Sequence, residues 1–474
     1  MDFLIPVLTG NTMRECDAKT IAEEPISGID LMERASRGIY NKLIPELNAR
    51  QKIAIVCGPG NNGGDGLCIA LMLLRDGFDV KIYRTIFGKN ISADHTFYYQ
   101  LLMQYKADLV QDIEDPNQLD FEKCDIVLDA IFGTGMQHIA TDLFLKCIQI
   151  INNFSGTVYS IDMPSGLLDK GFQPYNSFVH SKITYTIEAP KPSFFYPENK
   201  ISFRIANAGI KIKDAPTEEY FLSAEAQHIK NILRAIPQKP EHGHKGNSGH
   251  VLLIGGNNGM HGAIALAANS CIQHGAGLTT AFAPAGAKLY LANIPKAMHI
   301  AKKLIVENAF HVNDKNFTTL AIGPGLGLDS ESTEFLKIIL KTWNKPVILD
   351  ADALNILAEN EGFWKYVLPG SILTPHPGEF TRLFGIFNHT SDKFQKAREV
   401  CQSKQIYILA KDKYSALICP DGSIVFNGSG GPELSQGGSG DTLTGAIAAW
   451  MARTSDPKMA CMAAMYLCGL GETV

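Results

Sequence analysis

Several groups of residues in this 474-residue chain have types and spacing that could do chemistry. Asn62, Asp129 and Ser165 are oxygen donors with one carboxylate among them, a set suited to a monovalent or weakly held hard cation. Asp162 follows an apolar run beside the same loops and could act as acid or base. For either aspartate taken alone, capping of the turn after a strand is the plainer role. The run GPGNNGGDG (Gly58–Gly66) holds a Gly-x-Gly-x-x-Gly at Gly58, Gly60 and Gly63. Read as a dinucleotide loop, it would seat a pyrophosphate on a helix N-terminus. Against that, Asn61, Asn62 and Asp65 crowd the turn, Asp65 would repel a phosphate, and the next apolar run ends at Arg84 where a ribose-binding acid would be needed.

The second half carries its own set. In GGSGDTLTGAIAAWMA (Gly437–Ala452), Leu443, Ile447 and Trp450 mark a helix stripe, so the glycines and Asp441 fall at its N-terminus. Free N–H groups and the positive helix end make an anion hole there. Asp441 is either an ordinary cap or a base that takes a hydroxyl proton while the hole steadies a transferring phosphoryl group. TPHPGEF (Thr374–Phe380) frames His376 between two prolines, which aim it; Glu379 would hold a water on Mg²⁺ or orient His376. DADALN (Asp350–Asn355) adds two carboxylates, and GPGLG (Gly323–Gly327) is a small-residue turn a ligand could approach.

Alternating strands and helices must position these loops. KIAIVC, FDVKIYRT, DIVLDA, TVYSID and KITYTIE read as strands, with LCIALMLLRDG a helix after the glycine-rich turn and LMERASRGIYNKLI a helix with a stripe at Leu31, Ala35, Ile39 and Leu43. Such alternation predicts a mostly parallel sheet covered on both faces, with ligands at the carboxyl ends of its strands. Residues 213–249 are polar and proline-bearing without a strand signal, which puts the junction near 215–225 and the domains at 1–215 and 225–474. A second α/β series follows. HVLLIGG is a strand, GAIALAANSCIQHGAG a helix with Ile264, Ala268, Cys271 and Ile272 on one face, and TLAIGPGLG, KPVILDADALN and GSILTPHPGEF are strands ending in polar or glycine-rich loops. YILAKDKYSALICPDGSIVFN predicts a hairpin turned at Pro420-Asp421-Gly422.

Apolar residues at 45 % and charged residues at 19 % fit a well-cored protein. With 43 Lys+Arg against 48 Asp+Glu the formal charge is −5, so no basic excess points to nucleic acid or an anionic membrane. Ten scattered cysteines without a CxxC suit a reducing cytoplasm and suggest neither a zinc module nor a disulfide framework. The acidic start MDFLIPVLTGN lacks the pattern of a secretory signal. Met459–Leu470, the densest apolar stretch, is too short to span a bilayer and predicts a buried helix.

These motifs, in this order, carry a resemblance over nearly the whole chain. LMERAS, GPGNNGGDG, DAIFGTG, IDMPSG and Pro190-Lys191-Pro192 resemble the NAD(P)H-hydrate epimerase (YjeF N-terminal) family. KGNSGHVLLIGG, GAIALAA, GAGL, IGPGLG, LDADALN, TPHPGEF and GGSGDTLTG resemble the ADP/ATP-dependent NAD(P)H-hydrate dehydratase family. The resemblance implies an N-terminal Rossmann-like three-layer α/β/α sandwich and a C-terminal ribokinase-like α/β domain. It also implies repair: hydration of the nicotinamide ring yields R and S hydrates, the first half interconverts them, and the second restores the S form at the expense of ADP. That chemistry converts the poor hydroxide leaving group into a phosphate ester, expelled with help from the ring nitrogen.

Carried over residue by residue, Asn61, Asn62, Gly63, Gly64 and Asp65, then Gly133, Thr134, Gly135, Met136, Gln137, His138 and Ile139, together with Asp162, would contact the hydrate. Asn62, Asp129 and Ser165 would hold K⁺. Asp441 would be the dehydratase base, Gly440 would touch the nucleotide, and Ala263, Gly325 and His376 would line the hydrate site. Lys411, Asp412, Lys413, Tyr414 and Ser415 would lie along the nucleotide, with Mg²⁺ and ADP as the second half's cofactors. NAD(P)H hydrates and ADP are the expected small-molecule partners, with neither nucleic acid nor membrane, and a homo-oligomer is expected. The chain departs from the family at Asp412, where glycine is usual, in GGPELSQ before GGSGD, and at Cys468, where relatives tend to have histidine. The same GSGD logic also serves kinases of vitamin precursors, the competing reading, in which the first half would be a fused nucleotide-binding domain.

Overall fold

The computed structural model describes residues 3–87, 91–136, 140, 142–171, 174–235, 248–301, 317–431 and 436–472. Gln137, His138 and Ile139, and part of the KGNSG and GGPELSQ runs, lie outside the described residues. The chain divides into two compact units, Pro6–Thr217 with His389–Ser391, and Met1–Ile5 with Glu218–Asn388 and Asp392–Val474.

The first unit holds a seven-stranded parallel sheet in the order Val110–Ile113, Asp79–Thr85, Lys52–Cys57, Ile126–Ala130, Thr157–Ile161, Ile183–Ile187, Phe203–Ala206. Strand residues alternate between two cores. Ile53, Ile55 and Cys57 pack with Leu67, Leu71 and Leu74 of one helix layer, while Ala54, Val56 and Val127 pack with Cys147, Ile148 and Ile151 of the other. The order in which strands are added reverses at Lys52–Cys57, whose neighbours are Asp79–Thr85 and Ile126–Ala130. The loops after its strand and after Ile126–Ala130 therefore open the crevice where a doubly wound sheet binds ligands.

The helix after the first of these strands starts earlier than its apolar periodicity indicates. It runs Asn61–Arg75, so Asn62, Gly63, Gly64 and Asp65 are helical and not part of a turn. The glycines make this possible by removing side chains at close approaches. A Cβ on Gly63 would lie 1.8 Å from the Gly58 carbonyl oxygen, and one on Gly64 2.9 Å from Met32.

An eleven-stranded sheet runs from Ile5–Pro6 and Glu219–Leu222 through Ile424–Asn427, Ala416–Ile418, Tyr407–Ala410, Ile372–Leu373, Val347–Leu349, Thr319–Ile322, His250–Ile254 and Leu278–Ala283 to Ala297–Ala301. From Glu219–Leu222 onward the pairings are parallel except those of Ala416–Ile418 with its two neighbours. The expected hairpin at Pro420-Asp421-Gly422 joins Ala416–Ile418 to Ile424–Asn427. A second turn, at Lys411–Ser415, joins Tyr407–Ala410 to Ala416–Ile418.

Glu219–Leu222 corrects the strand-free reading of the junction. Four residues are too few for a periodic signal, and its parallel pairing with a strand some 200 positions away supplies what local sequence lacks. On the helix His261–Gln273, Ile264, Ala268 and Cys271 are buried while Ile272 is half-buried. The Met459–Leu470 stretch lies within the helix Pro457–Leu470, buried from Ala460 to Leu467. Among the described residues no helix is long and apolar enough to cross a membrane.

Candidate functional sites

At the crevice of the first sheet, the chain after Thr157–Ile161 turns at Asp162 with φ +60°, a left-handed conformation that Asp tolerates better than most residues. Its carboxylate meets Lys191, from the Pro-Lys-Pro segment. Lys191 Nζ donates to Asp162 Oδ1 (2.7 Å), to Thr186 Oγ1 (2.7 Å) and to the Ala189 carbonyl (3.1 Å), and the lysine side chain is 1 % exposed. The Ile187 N–H donates to the same Asp162 oxygen at 3.3 Å. Asp162 Oδ2 and Asn62 Oδ1 converge on Gly133, lying 3.0 and 3.1 Å from where its Cβ would stand.

A cavity of ≈ 150 Å³ is lined by Asn61, Asp65, Thr134, Asp162 and Lys191 together with Asp17, Asp94 and apolar residues such as Met13, Leu31 and Ile187. Asp65 accepts from Ser36 Oγ at 2.9 Å, yet burial pushes its carboxyl well above the usual range, and Asp162, Asp17 and Asp94 add to that. The sequence reading missed Lys191 as Asp162's partner and missed Asp17 altogether. The Pro-Lys-Pro run was the one signal that could have flagged the lysine.

The three cation-donor residues differ in how they are held. Asp129 is fully buried and accepts from Ser160 Oγ (2.9 Å), the Ser165 N–H (2.8 Å), Ser165 Oγ and the Ile131 N–H (3.3 Å). Burial nonetheless pushes it up to about 6, against those hydrogen bonds. Ser165 Oγ also accepts from the Phe132 N–H at 2.8 Å. Asn62 is 8 % exposed, and neither its amide oxygen nor its amide nitrogen has a hydrogen-bond partner among the described residues. An amide left so costs free energy unless something absent from the protein itself satisfies it.

In the second unit the helix Ser439–Thr454 begins after Gly438, at φ +90°. Close packing sets its position: a Cβ on Gly445 would lie 2.1 Å from the Ala267 carbonyl oxygen, and Ser270 Oγ donates to the Thr442 carbonyl at 2.7 Å. Among the described residues the N–H groups of Gly440 and Asp441 have no acceptor, as an anion hole requires. Burial first, then Asp350, hold the Asp441 carboxyl up at about 6; Lys411 opposes the shift and Asp352 adds to it.

Lys411 links the pieces. Its Nζ donates to Asp350 Oδ1 at 2.6 Å and lies 3.2 Å from where a Cβ on Gly440 would stand. Asp350 also accepts from Thr374 Oγ1 (2.7 Å) and Thr444 Oγ1 (2.6 Å), so one buried carboxylate ties three of the quoted motifs together. Sequence reasoning placed Asp350 at a strand end but missed that hub.

His376 caps the helix Pro377–Phe384. Its N–H donates to Glu379 Oε2 (2.9 Å), its Nδ1 accepts from the Gly378 N–H (3.0 Å), and its Nε2 lies 3.2 Å from Glu379 Oε1. Glu379 is buried, which raises its carboxyl above the usual range. Of its two expected roles, orienting His376 is therefore visible. Ala263 and Gly325 come together, a Cβ on Gly325 standing 3.3 Å from that of Ala263. Gly325 belongs to the loop at this sheet's reversal, between His250–Ile254 and Thr319–Ile322, where the Gly256 N–H donates to the Pro324 carbonyl at 2.8 Å. In Lys411–Ser415, Asp412 is exposed and its carboxylate lies 3.6 Å from Lys393. Cys468 Sγ lies 3.8 Å from His274 Nε2.

The family model described as YjeF-related protein N-terminus matches residues 28–193, and that described as NAD(P)H-hydrate dehydratase matches 251–471. The chain is similar to the bifunctional NAD(P)H-hydrate repair enzyme of Moorella thermoacetica, at 30 % identity over 98 % of this chain and 91 % of that one. The Coxiella burnetii enzyme of the same name is 28 % identical over 94 % and 90 % of the two chains. Among solved structures, a ribokinase-like superfamily protein from Enterococcus faecalis is 28 % identical over 54 % of this chain and 87 % of its own, at a TM-score of 0.47. The end-to-end likeness to the Moorella enzyme shows that this chain belongs to the family of bifunctional NAD(P)H-hydrate repair enzymes.

Proposed function

We propose that the first unit interconverts the R and S hydrates of NADH and NADPH in the Asp162–Lys191 cavity, and that the second dehydrates the S form at Asp441 with consumption of ADP. The observation that carries this reading is the likeness of the whole chain to enzymes that combine both functions. In the first unit, Asn61, Asn62, Gly63, Gly64, Asp65 and the Gly133–Met136 loop surround the hydrate, and Asp162 holds or moves a proton at the hydroxyl-bearing centre. Lys191 fixes the Asp162 carboxylate in place. K⁺ fits the donor set because the Asn62 amide oxygen is buried and otherwise unsatisfied. Asn62, Asp129 and Ser165 would hold it, and it would supply positive charge beside a carboxylate that burial makes reluctant to ionise.

In the second unit the unpaired N–H groups at Gly440 and Asp441 receive phosphoryl oxygens, and Lys411 adds positive charge next to them. Asp441 takes the proton of the substrate hydroxyl as it becomes a phosphate ester. Lys411–Ser415 lies along the nucleotide, while Ala263, Gly325 and His376 line the hydrate site. Mg²⁺ would accompany ADP, with Glu379, which orients His376, also holding one of its waters. Bound there, the ion neutralises charge on the phosphates. The enzyme acts in the cytoplasm.

The test is to incubate the protein with heat-generated NADH hydrate, ADP, Mg²⁺ and K⁺. Absorbance of reduced nicotinamide should return, and the residual R and S forms should re-equilibrate. No recovery, with phosphorylation of a thiazole or pyrimidine alcohol in its place, would replace this reading with a vitamin-precursor kinase.

A further inference from the structure

We infer that Asp17, on the helix Gly10–Glu23, is the catalytic proton donor of the first unit, acting on the substrate hydroxyl while Asp162 receives the proton of the returning water. The inference rests on the epimerase reading above and adds the second of the two groups that reaction needs. Inverting a carbon that bears a hydroxyl beside a ring nitrogen requires that the hydroxyl leave and return to the opposite face. As the carbon–oxygen bond breaks, Asp17 gives its proton to the departing oxygen, releasing water, and the nitrogen lone pair forms a carbon–nitrogen double bond. Water then adds to the other face, a new carbon–oxygen bond forms, the double-bond electrons return to nitrogen, and the water's proton passes to Asp162. One proton is given and one taken; passage in the reverse direction restores both carboxyl groups.

The geometry assigns the donor's part to Asp17. It lines the same cavity as Asp162 and Lys191, on a helix outside the stretch matched by the first family model. That helix is fastened over the site. The Gly10 N–H donates to Asp169 Oδ2 at 2.7 Å, a Cβ on Gly10 would lie 2.4 Å from the Thr134 carbonyl oxygen, and the Leu8 N–H donates to the Pro190 carbonyl at 3.0 Å.

The three carboxylates differ in how they are held. Asp162 is tied by Lys191 and the Ile187 N–H, and Asp65 by Ser36, whereas Asp17 has neither a hydrogen bond nor an ion pair among the described residues. The charged groups facing Asp17 are Asp162 and Lys191, with Asp65 and Asp94 also on the cavity wall and Arg14 on its own helix. Burial, then the Asp162 charge, push its carboxyl up to about 6 against Lys191 and Arg14, so it retains a proton that an exposed aspartic acid would have lost.

The experiment follows R/S equilibration from pH 5 to 8 with the full chain, comparing wild type, Asp17→Asn and Asp17→Glu. The Asp17→Asn variant should lose on the order of 10²–10⁴-fold in rate with little change in KM. The wild-type decline in rate as pH rises through about 6 should vanish with it, and Asp17→Glu should restore both rate and decline. Recovery of the rate in Asp17→Glu, with urea midpoints of the first unit equal to wild type, reports that the variants are folded. A wild-type enzyme that equilibrates the hydrates, with Asp17→Asn keeping its rate within threefold and the same pH profile, overturns the assignment alone. A wild type that does not equilibrate them removes the epimerase reading and Asp17's part together.

Discussion

The two sites use carboxylates against different backgrounds of charge. In the first unit Asp17, Asp65, Asp94 and Asp162 share one cavity with Lys191, and its walls supply little to attract a phosphate. In the second unit, Asp441 sits in the first turn of a sixteen-residue helix beside unpaired N–H groups and a lysine, an environment that draws phosphoryl oxygens in. The difference teaches which part of a hydrated dinucleotide each site is built to handle. An acid-lined pocket suits proton traffic at the ring, and a helix N-terminus with a lysine suits transfer from a nucleotide.

Breaking the second site should leave the first running. Asp441→Ala should lower dehydration by about 10²–10⁴-fold, the contribution typical of a positioned base, with R/S equilibration measured in the same tube unchanged. Equal loss of both activities would merge the two sites that the comparison separates.

Lys191→Met does the reverse. Removing one partner of a buried pair leaves Asp162 uncompensated, at a cost of about 3–5 kcal/mol. The urea midpoint should fall and equilibration should cease, whereas Asp162→Asn made together with it should recover much of the stability. A Lys191→Met protein with wild-type stability would show that the pair is not what fixes Asp162.

The pH dependences should run in opposite senses. As the proposed base, Asp441 must be ionised, and it is held at about 6, so dehydration should rise with pH through that value; as the proposed acid, Asp17 must be protonated, so equilibration should fall through it. Parallel profiles would undo the division of labour. The smallest effect concerns Asp412. Its side chain is partly exposed and lies toward Lys393, so Asp412→Gly should change the KM for ADP by less than about threefold, as for an ordinary surface substitution. A large gain in affinity would mean that this carboxylate does face the phosphates.

How much of this was legible can be traced residue by residue. Lys52–Cys57 and Ile126–Ala130 were readable because a parallel strand buried on both faces must be a run of apolar residues. Asp162 was readable because it stands where such a run stops, and Asp441 because it stands where a helix stripe begins after glycines. Asp17 was not, since one acid among polar neighbours on a short helix looks like any solvated face. The early start of the helix at Asn61 was masked by glycines, which read as a turn although close packing against Gly58 and Met32 requires them in a helix.

The order of apolar runs and glycine-rich loops along the chain thus settles the two α/β series and brings the candidate residues to strand ends, because periodicity and backbone freedom are local properties. Which charges face one another is not local. Lys191 and Asp162 stand 29 positions apart, Lys411 and Asp350 61, and Thr444 and Asp350 94. Only the folded sheets bring them within hydrogen-bond reach, and only burial there shifts the proton affinities on which the chemistry depends.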